Sequence, residues 1–199
     1  MRETKDRFTT QDIVYGGMFV ALMAVGAFIK IMIPLGPWEV TFSLQFFFAL
    51  MAGFLLGARL GFFSVLTYLI FGLCGMPIFA HGGGPAYLLK PTFGFLIGFA
   101  GAAFVAGKLY EMIQIRNIGT MIAAAFCGEM AYYACGLIYY YFMTNIIMPD
   151  VSIGIAELLS VWFLSTVIPD FMLAVGASVV AARLMPLFLE GRVHRASFR

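Results

Sequence analysis

The sequence predicts an all-α membrane protein with six transmembrane helices, and three observations support this fold class. First, 62% of the 199 residues are hydrophobic and only 11% are charged, whereas a soluble domain has about 45–50% apolar and about 25% charged residues. Second, apolar stretches long enough to cross a bilayer recur along the whole chain. Third, most Lys and Arg residues fall at the termini and in every second connection between these apolar stretches. We therefore expect a single integral membrane domain over residues 1–199.

The apolar stretches give the positions of the six spans, because a helix needs about 20 apolar residues to cross the hydrocarbon core. The stretch from Val40 to Met76 has 37 residues and would extend about 55 Å as one helix. Gly57-Ala-Arg-Leu-Gly61 divides it, so it is predicted to be a hairpin of two short spans. The predicted spans are about 12–33, 40–57, 60–76, 92–109, 118–142 and 158–184.

The basic residues predict which side the termini occupy. With six spans, ten of the 12 Lys and Arg residues fall on one side and only Lys30 and Lys90 on the other. Short cytoplasmic loops carry an excess of Lys and Arg. Both termini are therefore expected in the cytoplasm of a prokaryotic cell, with the chain in the plasma membrane.

Composition and motifs argue against several function classes. The net charge of +2 offers no broad basic surface for nucleic acid. The three cysteines form no CxxC pair, so neither a metal nor a cofactor is expected. An intramembrane enzyme is the alternative of a different class, but no HExxH, GxSxG or similar motif is present, and no catalytic residue is assigned. No Walker A segment is present either, so this chain cannot power transport by itself.

The outer connections contain the first candidate ligand-binding residues. The connection over 34–45 carries Trp38 and Gln45, and the glycine-rich segment over 75–91 carries Gly83, Gly84 and Tyr87. Non-helical backbone near membrane depth is tolerated where protein covers it or where it lines a cavity. A packed lid is favoured over a flexible loop, because Phe79 and Tyr87 flank the glycines. The third outer connection adds Asn145.

Ionisable residues within or beside spans are costly and are functional candidates. Lys90 lies at the outer mouth of the fourth span, where it could bind an anion or extend to the headgroups. Asp170 follows Pro169 inside the sixth span, where it could accept from ligand N–H groups or join two helices. Glu129 lies deep in the fifth span without an assigned partner. Nearby tyrosines and Trp162 are predicted to form mainly an interfacial belt, with one or two stacking on a ligand.

A strip of small residues marks the first span. Gly17, Ala21 and Ala24 recur at helical spacing, and small residues permit close helix contact within membranes. The strip is expected either to dock another membrane protein or to pack internally. Together these features predict a binding protein for a small, amphiphilic, anionic molecule.

Several motifs resemble those of one transporter family. Pro34-Leu-Gly-Pro37, followed by Thr41 and Gln45, resembles the outer loop of the biotin-type substrate-binding (S) components of energy-coupling factor transporters, the BioY family. Leu56-Gly-Ala-Arg-Leu-Gly61 is similar to their cytoplasmic-side hairpin. The glycine-rich segment and Pro91-Thr-Phe-Gly-Phe-Leu-Ile-Gly-Phe99 look like their central signature. The likeness covers about residues 12–110 well and the last two spans loosely.

The resemblance implies a six-helix S-component bundle with a ligand pocket near its outer face and no catalysis. It also implies docking, through the strip on the first helix, to a transmembrane coupling protein with two cytoplasmic ATPase subunits. The family commonly has Gly at the position of Lys90, and Lys three residues after the Asp of the last helix, where this chain has Leu173. The cation that binds a carboxylate has therefore moved to Lys90, or the ligand differs. Biotin is the expected ligand, with lipoate or another carboxylate-bearing vitamin as the alternative.

Overall fold

The computed structural model describes residues 9–35, 38–113, 117–148 and 152–196, with side chains described within 9–32, 40–113, 117–148 and 152–188. The elements are α1 (Thr10–Phe28), β1 (Lys30–Leu35), β2 (Trp38–Ser43), α2 (Gln45–Leu56), α3 (Ala58–Leu73), α4 (Phe93–Met112), α5 (Ile118–Phe142), α6 (Ile155–Leu159) and α7 (Val167–Ala196). A 3-10 turn occupies Pro85–Leu89, and π-helical turns occupy Met143–Ile147 and Ser160–Leu164.

The segment between α1 and α2 is a β-hairpin, which the sequence analysis did not predict. Strands β1 and β2 pair antiparallel, from Lys30 opposite Ser43 to Leu35 opposite Trp38. The expected first span to residue 33 and second span from residue 40 are therefore wrong at these ends. Pro34 cannot continue a helix, and β-branched residues such as Ile31 and Thr41 favour strands.

Within the stretch 40–76, the structure has two short helices, α2 and α3, joined at Gly57. Gly57 has a φ of +89°, a conformation that glycine adopts without strain. Helix α2 has 12 residues, so its length is about 18 Å, which is less than the hydrocarbon thickness. It is buried on nearly all of its faces. Four helical stretches in the described part are long and apolar enough to cross a membrane, whereas α2 and α3 are shorter apolar helices.

Helices α4 and α5 form the centre of the bundle because glycines let their backbones approach. A Cβ added at Gly98 would lie 2.7 Å from the carbonyl oxygen of Tyr132, and one at Gly128 would lie 2.9 Å from that of Ala102. Small residues at such crossings are typical of membrane helices. This contact fixes the α5 tyrosines against α4, next to the site described below.

The last membrane-crossing stretch is irregular rather than one helix over 158–184. It begins with α6 at Ile155, passes through the π-helical turn Ser160–Leu164 and resumes as α7 at Val167. Pro169 therefore lies in the first turn of α7, where its missing N–H costs no helical hydrogen bond. Asp170 follows in that same turn, with its N–H donating to the carbonyl of Thr166 at 3.0 Å.

Candidate ligand-binding site

A cavity of about 370 Å³ lies where the hairpin, the glycine-rich segment, α4, α5 and the start of α7 meet. Its size is within the range of small-molecule pockets, about 300–1,000 Å³. Its walls combine aromatic rings with a few polar and charged side chains. They comprise Val40, Thr41, Phe42, Ser43, Gln45, Ala80, His81, Tyr87, Lys90, Pro91, Thr92, Phe95, Leu96, Phe99, Tyr132, Trp162, Thr166 and Asp170.

Aromatic side chains from three elements form the apolar part of the wall. The rings of Phe95 and Trp162 stack with centroids 6.0 Å apart, and the rings of Phe99 and Tyr132 are nearly parallel at 5.3 Å. Tyr132 and Trp162 are thus the aromatic residues of the predicted outer belt that line the cavity. Phe95 and Phe99, four residues apart on α4, were not assigned from the sequence. Such faces suit an apolar ring or an alkyl chain.

Asp170 is the buried carboxylate of the cavity, with 6% of its surface exposed. The hydroxyl of Tyr133 donates to its Oδ2 at 2.7 Å and lies 2.7 Å from Oγ1 of Thr166. Tyr133 therefore holds the carboxylate in one orientation. A carboxylate has about four acceptor positions, so Asp170 retains capacity for donors on a ligand.

Lys90 is the half-buried cation of the cavity, at the end of the glycine-rich segment that precedes α4. Its Nζ lies 4.4 Å from the centre of the Tyr87 ring, which is within the range of a cation–π contact. Within the described side chains, the ammonium has no hydrogen bond or ion pair. Burial raises the pKa of the Tyr87 phenol, against an opposing backbone hydrogen bond from His81, so this ring remains neutral beside the cation.

One side of the cavity is covered by two parts of the chain that contact each other. Strand β2 contributes Val40 through Ser43, and the glycine-rich segment contributes Ala80 and His81. The ammonium of Lys30 on β1 donates to the backbone carbonyl of Ala80, which ties the two parts together. Phe79 is 1% exposed and packs against Tyr87 at 4.7 Å. The glycine-rich segment is thus packed, as the flanking aromatics predicted.

Gln45 lies at the first position of α2 and is 2% exposed. Its amide Nε2 donates to the hydroxyl of Tyr68 at 2.5 Å, and its Oε1 accepts from the hydroxyl of Ser43 at 3.0 Å. Of the predicted ligand-binding residues, the structure therefore brings Gln45, Tyr87, Lys90 and Asp170 to one cavity.

Gly83 and Gly84, which the sequence indicated as ligand-binding candidates, do not line the cavity. A Cβ at Gly83 would collide with the carbonyl of Met76, so this glycine permits a close backbone crossing. Gly84 has a φ of +102°, and its N–H donates to the carbonyl of Gly72 at 2.7 Å. This N–H is therefore already satisfied within the protein.

Asn145 also lies away from the cavity, in the π-helical turn that extends α5 rather than in a loop. Its Nδ2 donates to the carbonyls of Tyr141 and Ile153 at 3.1 and 3.2 Å, so it joins the end of α5 to the chain before α6. Trp38 is placed in β2 by its backbone, but its side chain lies outside the described residues. Glu129 is fully buried and does not line the cavity, and neither of its carboxyl oxygens has a partner in the described part of the chain.

The small-residue strip of α1 points away from the bundle for most of its length. Gly17 and Ala21 are exposed and Ala24 is half-buried, and a Cβ at Gly17 would meet nothing within 4 Å. The opposite face carries the buried residues, including Phe19 and Met23. Internal packing therefore does not account for Gly17 and Ala21 in this chain.

The chain is similar to known proteins in both sequence and structure. The model of the BioY family matches residues 1–190. The probable biotin transporter BioY of Lysinibacillus sphaericus is 40% identical over 184 residues, covering 92% of this chain and 91% of that protein. The biotin transporter BioY of Thermotoga maritima is 36% identical over 181 residues, covering 90% and 99%. A crystal structure of the S-component for biotin from an ECF-type ABC transporter superposes with a TM-score of 0.75 at 25% identity, covering 89% of this chain and 94% of that one.

Proposed function

This chain belongs to the BioY family, and on that premise we propose that it is the biotin-binding S-component of an energy-coupling factor transporter. It is an integral membrane protein of the all-α class. Like its relatives, which are named as transporters, it is not an enzyme. The observation that carries the proposal is the presence of one cation and one oriented carboxylate, Lys90 and Asp170, in a single aromatic-walled cavity.

These two charges suit the two polar ends of biotin. The ammonium of Lys90 would pair with the carboxylate of the valerate tail. The Asp170 carboxylate would accept from an N–H of the ureido ring, in addition to the bond from Tyr133. Phe95, Phe99 and Trp162 would contact the apolar part of the ligand between them. Hydrogen bonds to charged groups are worth about 1.5–3 kcal/mol each, so both ends would contribute to affinity.

A binding screen on the purified protein tests this function and separates it from the lipoate alternative. Biotin, dethiobiotin and lipoate all carry a carboxylate on an alkyl chain, but only the first two carry a ureido ring. We expect biotin and dethiobiotin to bind more tightly than lipoate, because lipoate has no N–H to add to the hydrogen bond that Asp170 already accepts from Tyr133. Preferred binding of lipoate would reject biotin as the ligand, and absence of binding by all three acids would reject the proposed class.

We further propose that the chain acts with a transmembrane coupling protein and two cytoplasmic ATPase subunits. The ECF-type transporter named for the structural neighbour supports such partners in general. The specific contribution of this chain is the exposed surface of Gly17 and Ala21 on α1. A smooth surface of this kind allows another membrane helix to approach closely. The proposal therefore assigns the docking face to α1, on the side opposite its buried residues.

A further inference from the structure

A buried chain of hydrogen bonds joins the hairpin, α2, α3 and the glycine-rich segment. The hydroxyl of Ser43 donates to Oε1 of Gln45 at 3.0 Å, and Nε2 of Gln45 donates to the hydroxyl of Tyr68 at 2.5 Å. The Tyr68 hydroxyl in turn donates to the carbonyl of Ile78 at 2.8 Å. Tyr68 is fully buried and does not line the cavity, whereas Ser43 and Gln45 do.

The direction of these bonds is set by the backbone carbonyl at one end. The oxygen of Ile78 can only accept, so the single hydroxyl proton of Tyr68 is committed to it. The Tyr68 oxygen must then accept from Gln45, which places the NH₂ group of the amide at Tyr68 and its oxygen at Ser43. The alternative orientation, with the amide oxygen facing Tyr68, would place two acceptors against each other. The tyrosine therefore decides which way the Gln45 amide faces.

We infer that Tyr68 is a positioning residue for ligand recognition, which acts by holding the Gln45 amide in one orientation at the cavity wall. The inference rests on the proposed function. After its bonds to Ser43 and Tyr68, the amide keeps one N–H and one acceptor position among the described residues. A ligand group that carries both a C=O and an N–H, such as a cyclic urea or an amide, can use both. The disulfide ring of lipoate has no N–H group and only weak sulfur acceptors.

A double-mutant cycle on biotin binding tests whether Tyr68 acts through Gln45. The four proteins are the wild type, Tyr68→Phe, Gln45→Leu and the double variant. Loss of one oriented hydrogen bond is worth about tenfold in affinity, so Tyr68→Phe is expected to weaken biotin binding by about that factor. In the Gln45→Leu background, the same change should alter affinity less than about twofold. Equal losses in the two backgrounds would overturn the positioning role.

Tyr139→Phe provides the matched control, because it also removes a phenol hydroxyl that donates a hydrogen bond to a carbonyl of the glycine-rich segment. The Tyr139 hydroxyl donates to the carbonyl of Leu88 at 2.5 Å, and Tyr139 does not line the cavity. We expect a change in biotin affinity of less than about twofold. A loss equal to that of Tyr68→Phe would show that tethering of the segment matters rather than the amide, and would overturn the inference.

Ser43→Ala extends the test if Tyr68→Phe folds poorly, since it removes the other bond to the amide. Its effect on biotin affinity should also disappear in the Gln45→Leu background, and persistence of the effect there would contradict the inference. Failure of the wild type to bind biotin would overturn the proposed function and the inference together. Additive losses in a wild type that binds biotin would overturn the inference alone.

Discussion

At the scale of single residues, the two buried carboxyl groups of the membrane interior have different surroundings. Asp170 accepts a hydrogen bond from Tyr133 and lines the cavity. Glu129 is also buried, but its oxygens have no partner in the described part and it does not line the cavity. Burial is thus common to both residues, whereas the hydrogen bond from Tyr133 and the access to the cavity distinguish Asp170, which we propose as the ligand-binding group.

The first prediction uses this difference. Asp170→Asn keeps the side-chain shape but removes the charge and an acceptor, so biotin affinity should fall about tenfold to 100-fold, in line with about 1.5–3 kcal/mol for a bond to a charged group. Glu129→Gln is the matched control and should change affinity less than about threefold. Calorimetric titration measures both. Wild-type affinity in Asp170→Asn, or equal losses in the two variants, would contradict the assigned roles.

At the scale of elements, most helices could be predicted from the sequence, but the β-hairpin could not. Apolar length and the Gly57 turn are local properties, so α4, α5 and the α2–α3 division could be predicted. Strands β1 and β2 were not predicted, because Ile31, Ile33 and Val40 are as apolar as the spans that they adjoin. Their pairing depends on contacts between the two strands, and a single apolar run does not distinguish a short strand from a helix end.

The binding cavity shows the same limit. Lys90 and Asp170 could be selected because charge is costly in a membrane, and Gln45 and Tyr87 because they lie in outer connections. Phe95, Phe99 and Thr166 could not be separated from ordinary core residues. Gly83 and Gly84 were selected but do not line the cavity, because a glycine required for a close backbone contact has the same sequence signature as one required for ligand approach.

The second prediction concerns α1. Ala21→Trp should prevent co-purification with the coupling protein while changing biotin affinity less than about twofold, because the indole blocks close helix approach but Ala21 does not line the cavity. Met18→Trp is the control, since Met18 is exposed on the same helix but lies outside the strip. Pull-down of the co-expressed complex measures assembly. Normal co-purification of Ala21→Trp, or equal loss in Met18→Trp, would argue against the strip as the docking face.

At the scale of the whole molecule, the chain combines a candidate binding cavity with a proposed docking face and has no nucleotide-binding motif. The cavity lies beneath the hairpin and the glycine-rich segment, where Lys30 ties the two parts together. The proposed docking face lies on α1, which precedes β1 in the chain. Binding and energy supply are therefore assigned to different proteins of one complex.

The third prediction follows from this division. In a host without coupling-factor subunits, the chain should bind labelled biotin but should not raise its internal concentration above the external one. Supplying the coupling protein and ATPases should permit accumulation that depends on ATP. Uptake of labelled biotin into cells with each combination makes the measurement. Uphill accumulation by the chain alone would refute the assignment as an S-component.

The most direct test of the account compares biotin with its neutral amide on the wild type and on Lys90→Ala. If the ammonium of Lys90 pairs with the ligand carboxylate inside the cavity, its loss should cost about 2–5 kcal/mol, or about 30-fold or more in affinity for the acid. Binding of the amide should fall less than about threefold, and Lys90→Arg should be intermediate for the acid because guanidinium differs in shape. A strong loss confined to the acid is the predicted result. Equal, small losses for acid and amide would contradict the role of Lys90 and the binding mode built on it.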